Sequence, residues 1–238
     1  MTTTIAPDEA AHFGAMAADW WNPQGSSKPL HQLNPVRLAY IRQQIDRHFG
    51  TSHASRTPLT GKTVLDAGCG AGLLCEPLAR LGGNVTGLDA APENIAVAKA
   101  HAAPQDLAID YRCGEVAKLD GQFNLVTSME VIEHVTDPDA FVAALTDRLA
   151  PNGLMILSTP NRTALSRLMM IDIGEGLGQI PKGTHHWDQF LAPDELARLL
   201  AKHQMQVIDR HGIAWSPAKG FHLSDRLDLN YLMTAIRS

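Results

Sequence analysis

The feature that most constrains this chain is a glycine-rich loop that follows a short apolar strand. The strand Val64-Leu65-Asp66 runs into Ala67-Gly68-Cys69-Gly70-Ala71-Gly72, and a helix-forming segment follows. Glycines at such a junction allow positive φ and let a ligand approach bare main chain, while the next helix presents its N-terminal N–H groups. A second strand ends in Asp89, where a carboxylate can accept hydrogen bonds from two ribose hydroxyls. The order of strand, loop, helix and acid predicts a nucleotide-like cofactor.

Two other interpretations of the loop are open from these residues alone. The glycines could form only a tight turn, with Asp89 capping a helix that begins at Pro92. Alternatively, the loop could bind a dinucleotide in a nicotinamide-dependent oxidoreductase. A G-x-G-x-x-G loop starting at Gly68 would place its third glycine where this chain has Leu73, and this substitution disfavours the dinucleotide.

Strand-like and helix-forming segments alternate along most of the chain. Two helices, separated by a loop at 22–29, are predicted within 10–49, and further helices at 73–81, 92–101 and 137–149. Alternation of this kind predicts an α/β fold with a mostly parallel sheet that binds ligands at the carboxyl ends of its strands. Seven segments have strand character: 63–66, 84–89, 109–112, 123–128, 154–159, 205–211 and 229–236.

Length favours a single domain over 1–238. Within it we expect four parts: an N-terminal helical cap at 1–60, a cofactor-binding core at 61–160, a lid insertion at 161–204 and the final strands at 205–238.

Composition and charge exclude several classes of protein. The chain is 45% hydrophobic and 19% charged, which suits a sizeable core and not a disordered chain. The formal net charge of -5 disfavours nucleic acid as a partner. Three cysteines without a CxxC pair favour reduced thiols. With no apolar run of roughly 20 residues and no targeting segment, a cytoplasmic location is predicted.

Three segments resemble motifs of the class I S-adenosylmethionine-dependent methyltransferases. The pattern D-x-G-x-G-x-G from Asp66 to Gly72 resembles the first motif of that family, in which the acid lies near the amino-acid end of the cofactor. Asn124-Leu125-Val126 and Leu149-Ala150-Pro151-Asn152-Gly153 resemble two later motifs, with Asn124 in place of an Asp and Asn152 in place of a Gly. The resemblance implies a Rossmann-like sheet of seven strands, N-terminal helices, a helical lid, and S-adenosylmethionine held at Asp66, Gly68, Gly70, Gly72 and Asp89.

Four further segments resemble the ubiquinone-biosynthesis O-methyltransferase family and extend the similarity over nearly the whole chain. They are KPLHQLNPVR at 28–37, SMEVIEHV at 128–135, STPNR at 158–162 and PKGTHH at 181–186. The resemblance implies methylation of two ring hydroxyls, one on a polyprenyl-hydroxyphenol intermediate and one on demethylubiquinol. The alternatives are a class I methyltransferase for another small phenol, acid or lipid, and a cofactor-binding module without activity.

The same resemblance implies roles for single residues. Arg37 can reach the cofactor carboxylate through a charge-assisted fork, and Met129 can pack on an apolar part of the cofactor. From the residues alone, Arg37 could instead lie on a helix surface, and Met129 could fill the core. With Gly68 and Asp89, these two residues complete the implied cofactor contacts.

A metal site is a further implication. A helical turn would bring Glu130, Glu133 and His134 to one face, and members of the family imply magnesium at these positions. The alternative is a helix start with acids near its positive end and a buried His134. Because free phenols titrate near 10, methyl transfer also needs a group that takes the phenol proton, and Mg²⁺ could stabilise the phenolate. The candidates for this base are His134, His185 and His186, the last two of which could instead lie on a surface loop.

The segment from Arg162 to Trp187 is predicted to form a lid. Ala164, Leu165, Leu168 and Ile171 recur at helical spacing, and a glycine-rich run at 174–178 follows. Such a segment could contact a lipid surface and admit a polyprenyl tail; an ordinary helix packed on its own core is the alternative. We predict reversible contact with an anionic membrane, on the inner face of a bacterial inner membrane, and other enzymes of the ubiquinone pathway as further partners.

Overall fold

The computed structural model describes residues 4–25, 27–176, 183–184 and 186–238. In this part of the chain, eight strands form one sheet in the order β3-β2-β1-β4-β5-β8-β6-β7. Their bounds are β1 (Thr63–Ala67), β2 (Asn84–Asp89), β3 (Asp110–Cys113), β4 (Phe123–Met129), β5 (Leu149–Pro160), β6 (Met205–Ser216), β7 (Gly220–Ser224) and β8 (Asn230–Arg237). Strands β1 to β5 are parallel, and β8 lies antiparallel between β5 and β6. The predicted α/β fold with a mostly parallel sheet is therefore confirmed.

Strand β7 was not among the seven predicted strands. It forms a hairpin with β6, in which Ser216 pairs with Gly220 and Gly212 pairs with Ser224. Gly220 has a φ of 62° at the point where the chain turns back, which favours glycine. Every residue of β7 is only partly buried, because the strand lies at the edge of the sheet. Its apolar residues do alternate, with Phe221 and Leu223 packed against the core, so the strand follows a period-two pattern that the sequence prediction missed.

Seven α-helices pack around the sheet in the described residues. Five of them begin with proline in the first turn, where the missing N–H costs nothing, and α5 is also capped by the side chain of Asp137. The first helix ends at Ala15 and is followed by a 3₁₀ turn, so it is shorter than the sequence predicts. The bounds are α1 (Pro7–Ala15), α2 (Lys28–Phe49), α3 (Cys75–Arg80), α4 (Pro92–Ala102), α5 (Pro138–Arg148), α6 (Ala164–Ser166) and α7 (Pro193–Lys202).

The core has two halves, one on each face of the sheet. Adjacent residues of β4 show the division, since Leu125 belongs to one half and Val126 to the other. Such alternation is expected where helices cover both faces of a parallel sheet. Helices α5 and α7 contribute to the half that contains Val126, and α2, α3 and α4 contribute to the half that contains Leu125. The carboxyl ends of β1, β2 and β4 lie together at one edge of the sheet. Residues of α1 and α2 line the same cavity as these strand ends.

The predicted lid continues α6 as a π-helical segment, Arg167–Glu175. Of the predicted insertion at 161–204, Met170 and Thr184 are the described residues that line the cavity at the sheet edge. Helix α7, in contrast, buries Leu196 and Leu200 in the core. Among the described helices, none combines the length and hydropathy that a bilayer span requires.

Candidate active site

The glycine loop connects the end of β1 to α3. Gly68, Gly70 and Gly72 have φ values of 75°, 53° and 89°, as the sequence predicts for glycines at this junction. Gly70 also lies under an aromatic ring, because a Cβ at this position would be 2.4 Å from the indole of Trp20. Any larger residue would therefore be both strained and in collision, which explains why glycine is required here.

Asp89 joins the glycine loop to the start of α4. Its Oδ2 accepts a hydrogen bond of 2.8 Å from the Gly70 N–H, and its Oδ1 accepts bonds from the Ala91 N–H and the Asn94 side chain. Burial raises the pKa of Asp89, although these hydrogen bonds to the carboxylate oppose that effect. The carboxylate thus stabilises the turn between β2 and α4 but accepts no hydrogen bond from the free N–H groups of the first turn of α4, so the capping interpretation is wrong. It also lines the cavity, as the cofactor interpretation requires.

Asp66 is buried at the carboxyl end of β1. One carboxylate oxygen accepts a hydrogen bond of 2.8 Å from the Thr127 hydroxyl, and the other lies 3.3 Å from Sγ of Cys75. Burial raises the pKa of Asp66 to about 6, despite these contacts. The acid at the head of the loop therefore borders the cavity as a buried carboxyl group whose pKa lies above its usual value.

A cavity of about 280 Å³ opens above the loop. This is close to the lower end of the range for pockets that hold small molecules, roughly 300 Å³. The N-terminal segment, the glycine loop, the end of β4 and the lid all contribute to its wall. All the predicted cofactor residues line the cavity except Gly72: Arg37, Asp66, Gly68, Gly70, Asp89 and Met129.

Arg37 reaches this cavity from α2. Its side chain is only 3% exposed, so the surface interpretation of Arg37 is wrong. One guanidinium nitrogen lies 3.0 Å from Oε1 of Glu130, and the Nε has no hydrogen-bond partner among the described residues. A buried donor without an acceptor costs about 1–3 kcal/mol, so this N–H fits a ligand that brings an oxygen, such as the carboxylate of S-adenosylmethionine.

Glu130 is held by three neighbouring side chains. The Ser158 hydroxyl donates to its Oε1 and the Asn230 side chain donates to its Oε2, each at 2.6 Å, while Arg37 approaches Oε1. Its φ of 56° places it outside the 3₁₀ turn Ile132–His134 that contains the other two predicted metal ligands. The carboxylate therefore belongs to a network between α2, β5 and β8.

Glu133 and His134 lie 3.9 Å apart, between Oε1 and Nε2, and each also has a partner of its own. Glu133 accepts a hydrogen bond of 2.8 Å from the Thr159 hydroxyl, and burial, with the nearby Glu130, raises the pKa of Glu133 well above its usual range. Nδ1 of His134 lies 3.0 Å from Glu9. Within the described residues, no three His, Cys, Asp or Glu side chains are placed to hold a metal ion. A 3₁₀ turn replaces the helical face that the spacing predicts, and magnesium at these three residues stays a prediction.

The three predicted base candidates have different surroundings. His134 lines the cavity and contacts Phe13 of α1 edge to face, with ring centroids 5.0 Å apart. His186 is exposed and does not line the cavity; its Nε2 is 3.9 Å from Glu9. His185 lies outside the described residues. Sequence reasoning missed Glu9 and Phe13, because nothing in α1 itself shows that it packs against a turn more than a hundred residues away.

Sequence reasoning also missed the tryptophan pair that covers the loop. The indole N–H of Trp21 donates to the Ala71 carbonyl at 3.0 Å, and its ring stacks on His101 of α4 at 3.4 Å between centroids. Trp20 lines the cavity. Two adjacent tryptophans just before the Asn-Pro-Gln-Gly loop were the available signal in the sequence.

The sheet, the glycine loop and the acid at the end of β2 together define a class I methyltransferase. A family model described as a methyltransferase domain matches residues 37–210. The crystal structure of magnesium protoporphyrin IX methyltransferase from Synechocystis PCC 6803 with bound S-adenosylmethionine has the same fold, with a TM-score of 0.66, 18% identity and 100% of both chains covered.

Relatives named ubiquinone biosynthesis O-methyltransferase are much more similar in sequence. The protein from Cereibacter sphaeroides is 47% identical over 99% of this chain and 98% of its own length. The protein from Bartonella quintana is 46% identical over 99% of this chain and 97% of its own length. The chain belongs to the ubiquinone biosynthesis O-methyltransferase family, as the sequence motifs predict.

Proposed function

We propose that this chain transfers a methyl group from S-adenosylmethionine to ring hydroxyls of ubiquinone precursors. The substrates are demethylubiquinol and an earlier polyprenyl-hydroxyphenol intermediate. The observation that carries this proposal is the full-length similarity, at 42–48% identity, to relatives named for ubiquinone biosynthesis O-methylation. The cavity supports this function. At the carboxyl edge of the sheet it is lined by the Arg37 side chain, whose Nε has no partner among the described residues, and by the main chain of Gly68 and Gly70.

The cofactor supplies an electrophilic methyl group on a sulfonium. The chain's own contribution is to hold the rest of the cofactor in place. Arg37 would bind its carboxylate, Asp89 would bind its ribose, and Met129 at the end of β4 would pack on an apolar part. The remaining contacts in this proposal come from Asp66, Gly68 and Gly70, while Gly72, which does not line the cavity, would shape the loop through its positive φ.

His134 is the proposed general base. It is the only one of the two described candidates whose side chain lines the cavity, and the Glu9 carboxylate lies beside its Nδ1. A carboxylate in that place orients the imidazole and stabilises the imidazolium that forms when a phenol proton is taken. Helix α1, which brings Glu9 and Phe13, forms the cavity wall beside His134.

The lid supports the predicted contact with lipid. Leu165, Leu168 and Ile173 are exposed apolar residues of α6 and the π-helical segment, while Met170 of the same segment lines the cavity. A segment with one side toward the cavity and apolar residues toward solvent would suit a substrate whose polyprenyl tail stays in a bilayer. We therefore propose a cytoplasmic protein that binds reversibly to the inner face of an anionic membrane. Contact with other enzymes of the ubiquinone pathway stays a prediction.

Methyl transfer to a short-tailed demethylubiquinol tests the function. The native chain should form methylated product, and Asp89→Ala should lose cofactor affinity. His134→Gln should lower kcat by about 100-fold without weakening cofactor binding, since general-base catalysis contributes roughly 10²–10⁴, whereas His186→Gln should retain activity. No product from a chain that binds S-adenosylmethionine would instead favour another phenol, acid or lipid as substrate.

The same assay with Mg²⁺ or a chelator tests the predicted metal. If Glu130 binds magnesium, Glu130→Ala should lose turnover, keep cofactor binding and respond to the metal concentration. Full activity in chelator would remove the metal role of Glu130, Glu133 and His134.

A further inference from the structure

The indole nitrogen of Trp20 is a buried donor at the cavity. The side chain lines the cavity, and its Nε1 is inaccessible to solvent, with no hydrogen-bond partner among the described residues. Buried indole N–H groups usually find an acceptor, and one that does not costs about 1–3 kcal/mol. An acceptor brought by a ligand would remove this cost.

The Trp20 ring also lies directly on the glycine loop. A Cβ at Gly70 would be 2.4 Å from the six-membered part of the indole, so only hydrogen separates the ring from the loop backbone. The N–H of Gly70 is in turn the donor to Asp89. Trp20 therefore contacts the same turn of main chain that the proposed function assigns to the cofactor.

Neighbouring contacts hold Trp20 in this position before any ligand binds. Trp21 is tied to the loop through the Ala71 carbonyl and stacks on His101, and a ring nitrogen of His31 lies 2.8 Å from the Trp20 carbonyl. His101 is itself held by Glu76 of α3, at 2.6 Å. These contacts fix the main chain at Trp20 and the neighbouring side chain of Trp21, so less conformational entropy is lost when this segment binds a ligand.

From these observations we infer that Trp20 is a cofactor-binding residue, which rests on the proposed function. Its ring covers the glycine loop, and its Nε1–H donates a hydrogen bond to an acceptor atom of S-adenosylmethionine or of the product S-adenosylhomocysteine. Arg37 presents a second unpartnered buried donor to the same cavity. Both donors come from the N-terminal cap, so this cap, together with the Rossmann-like core, recognises the cofactor.

Calorimetric titration of S-adenosylhomocysteine tests this assignment. Trp20→Phe keeps the ring contact and removes the donor, so we expect a Kd about tenfold higher than that of the native chain. Trp215→Phe is the matched control, because Trp215 is 49% exposed on β6 and does not line the cavity. Its Kd should equal the native value. An equal Kd for Trp20→Phe and the native chain would overturn the proposal.

A second measurement uses the native sequence and does not depend on how well Trp20→Phe folds. The chain has four tryptophans, whose indole N–H signals can be separated by ¹⁵N NMR and assigned with single Phe variants of the other three. The Trp20 signal should move on addition of S-adenosylhomocysteine, while that of Trp215 should not. A stationary Trp20 signal in a chain that binds the ligand would also overturn the proposal. Failure of the native chain to bind the ligand would contradict the proposed function itself.

Discussion

At the scale of single residues, the clearest energetic consequence concerns Asp66. Burial raises its pKa from the usual 3.8 to about 6 in the folded chain. An acid whose pKa is higher when folded binds its proton more tightly in the folded state, so its contribution to stability is complete at low pH. That contribution is lost as the pH rises from about 4 to about 6, because the charged carboxylate then has to remain buried.

Asp66→Asn should remove this pH dependence. The asparagine can still accept a hydrogen bond from Thr127, and it carries no charge at any pH. Between about pH 4 and about pH 6.5, the free energy of unfolding of the native chain should fall by about 2 kcal/mol more than that of the variant. Urea unfolding at about pH 4 and about pH 6.5 measures the difference. The exposed Asp120→Asn is the control and should follow the native chain; equal slopes for all three chains would contradict the assignment.

At the scale of elements, the two ends of the lid are joined by hydrogen bonds, and its described residues include exposed apolar side chains. Thr163 caps α6 by accepting a hydrogen bond from the Ser166 N–H, and the Trp187 indole donates to the Thr163 carbonyl at 3.0 Å. Between these contacts, Leu168 is 47% exposed. The lid can therefore present apolar side chains to a bilayer without losing its attachment to the core.

Leu168→Asp should weaken sedimentation with anionic vesicles by about tenfold, since burial of one leucine side chain contributes roughly 1.5–3 kcal/mol. Ile208→Asp is a matched control, because Ile208 is 45% exposed but lies on β6, away from the lid. The control should sediment like the native chain. Equal sedimentation of all three proteins would contradict membrane contact through the lid.

The elements also show where the sequence is informative about this fold and where it is not. The glycine loop and Asp89 follow local rules, since positive φ requires glycine and an acid at a strand end faces the ligand edge. The helical turn predicted around the three metal candidates is wrong, because Glu130 precedes a 3₁₀ turn and binds Ser158 and Asn230. Strand β7 pairs only with β6 among the described strands, yet Phe221 and Leu223 alternate with polar residues, a signal that the sequence prediction missed.

At the scale of the whole molecule, the cavity depends on contacts that no local pattern contains. Glu9 and Trp20 reach it from the N-terminal segment, His134 from the loop after β4, and Met170 from the lid. Each is separated from the others by long stretches of chain, so only the folded molecule brings them together. A ligand that binds this assembled cavity therefore binds the folded state and not the unfolded chain, and its binding stabilises the whole molecule.

S-adenosylhomocysteine should consequently raise the melting temperature. At a free concentration of 100 times its Kd, the stabilisation is about 2.7 kcal/mol, which for a chain of this size corresponds to roughly 5–10 °C. NAD should produce no shift, because Leu73 replaces the third glycine of a dinucleotide loop. Differential scanning calorimetry with each ligand measures both effects. A shift with NAD and none with S-adenosylhomocysteine would mean that the glycine loop holds a dinucleotide, and the methyltransferase assignment of this cavity would be wrong.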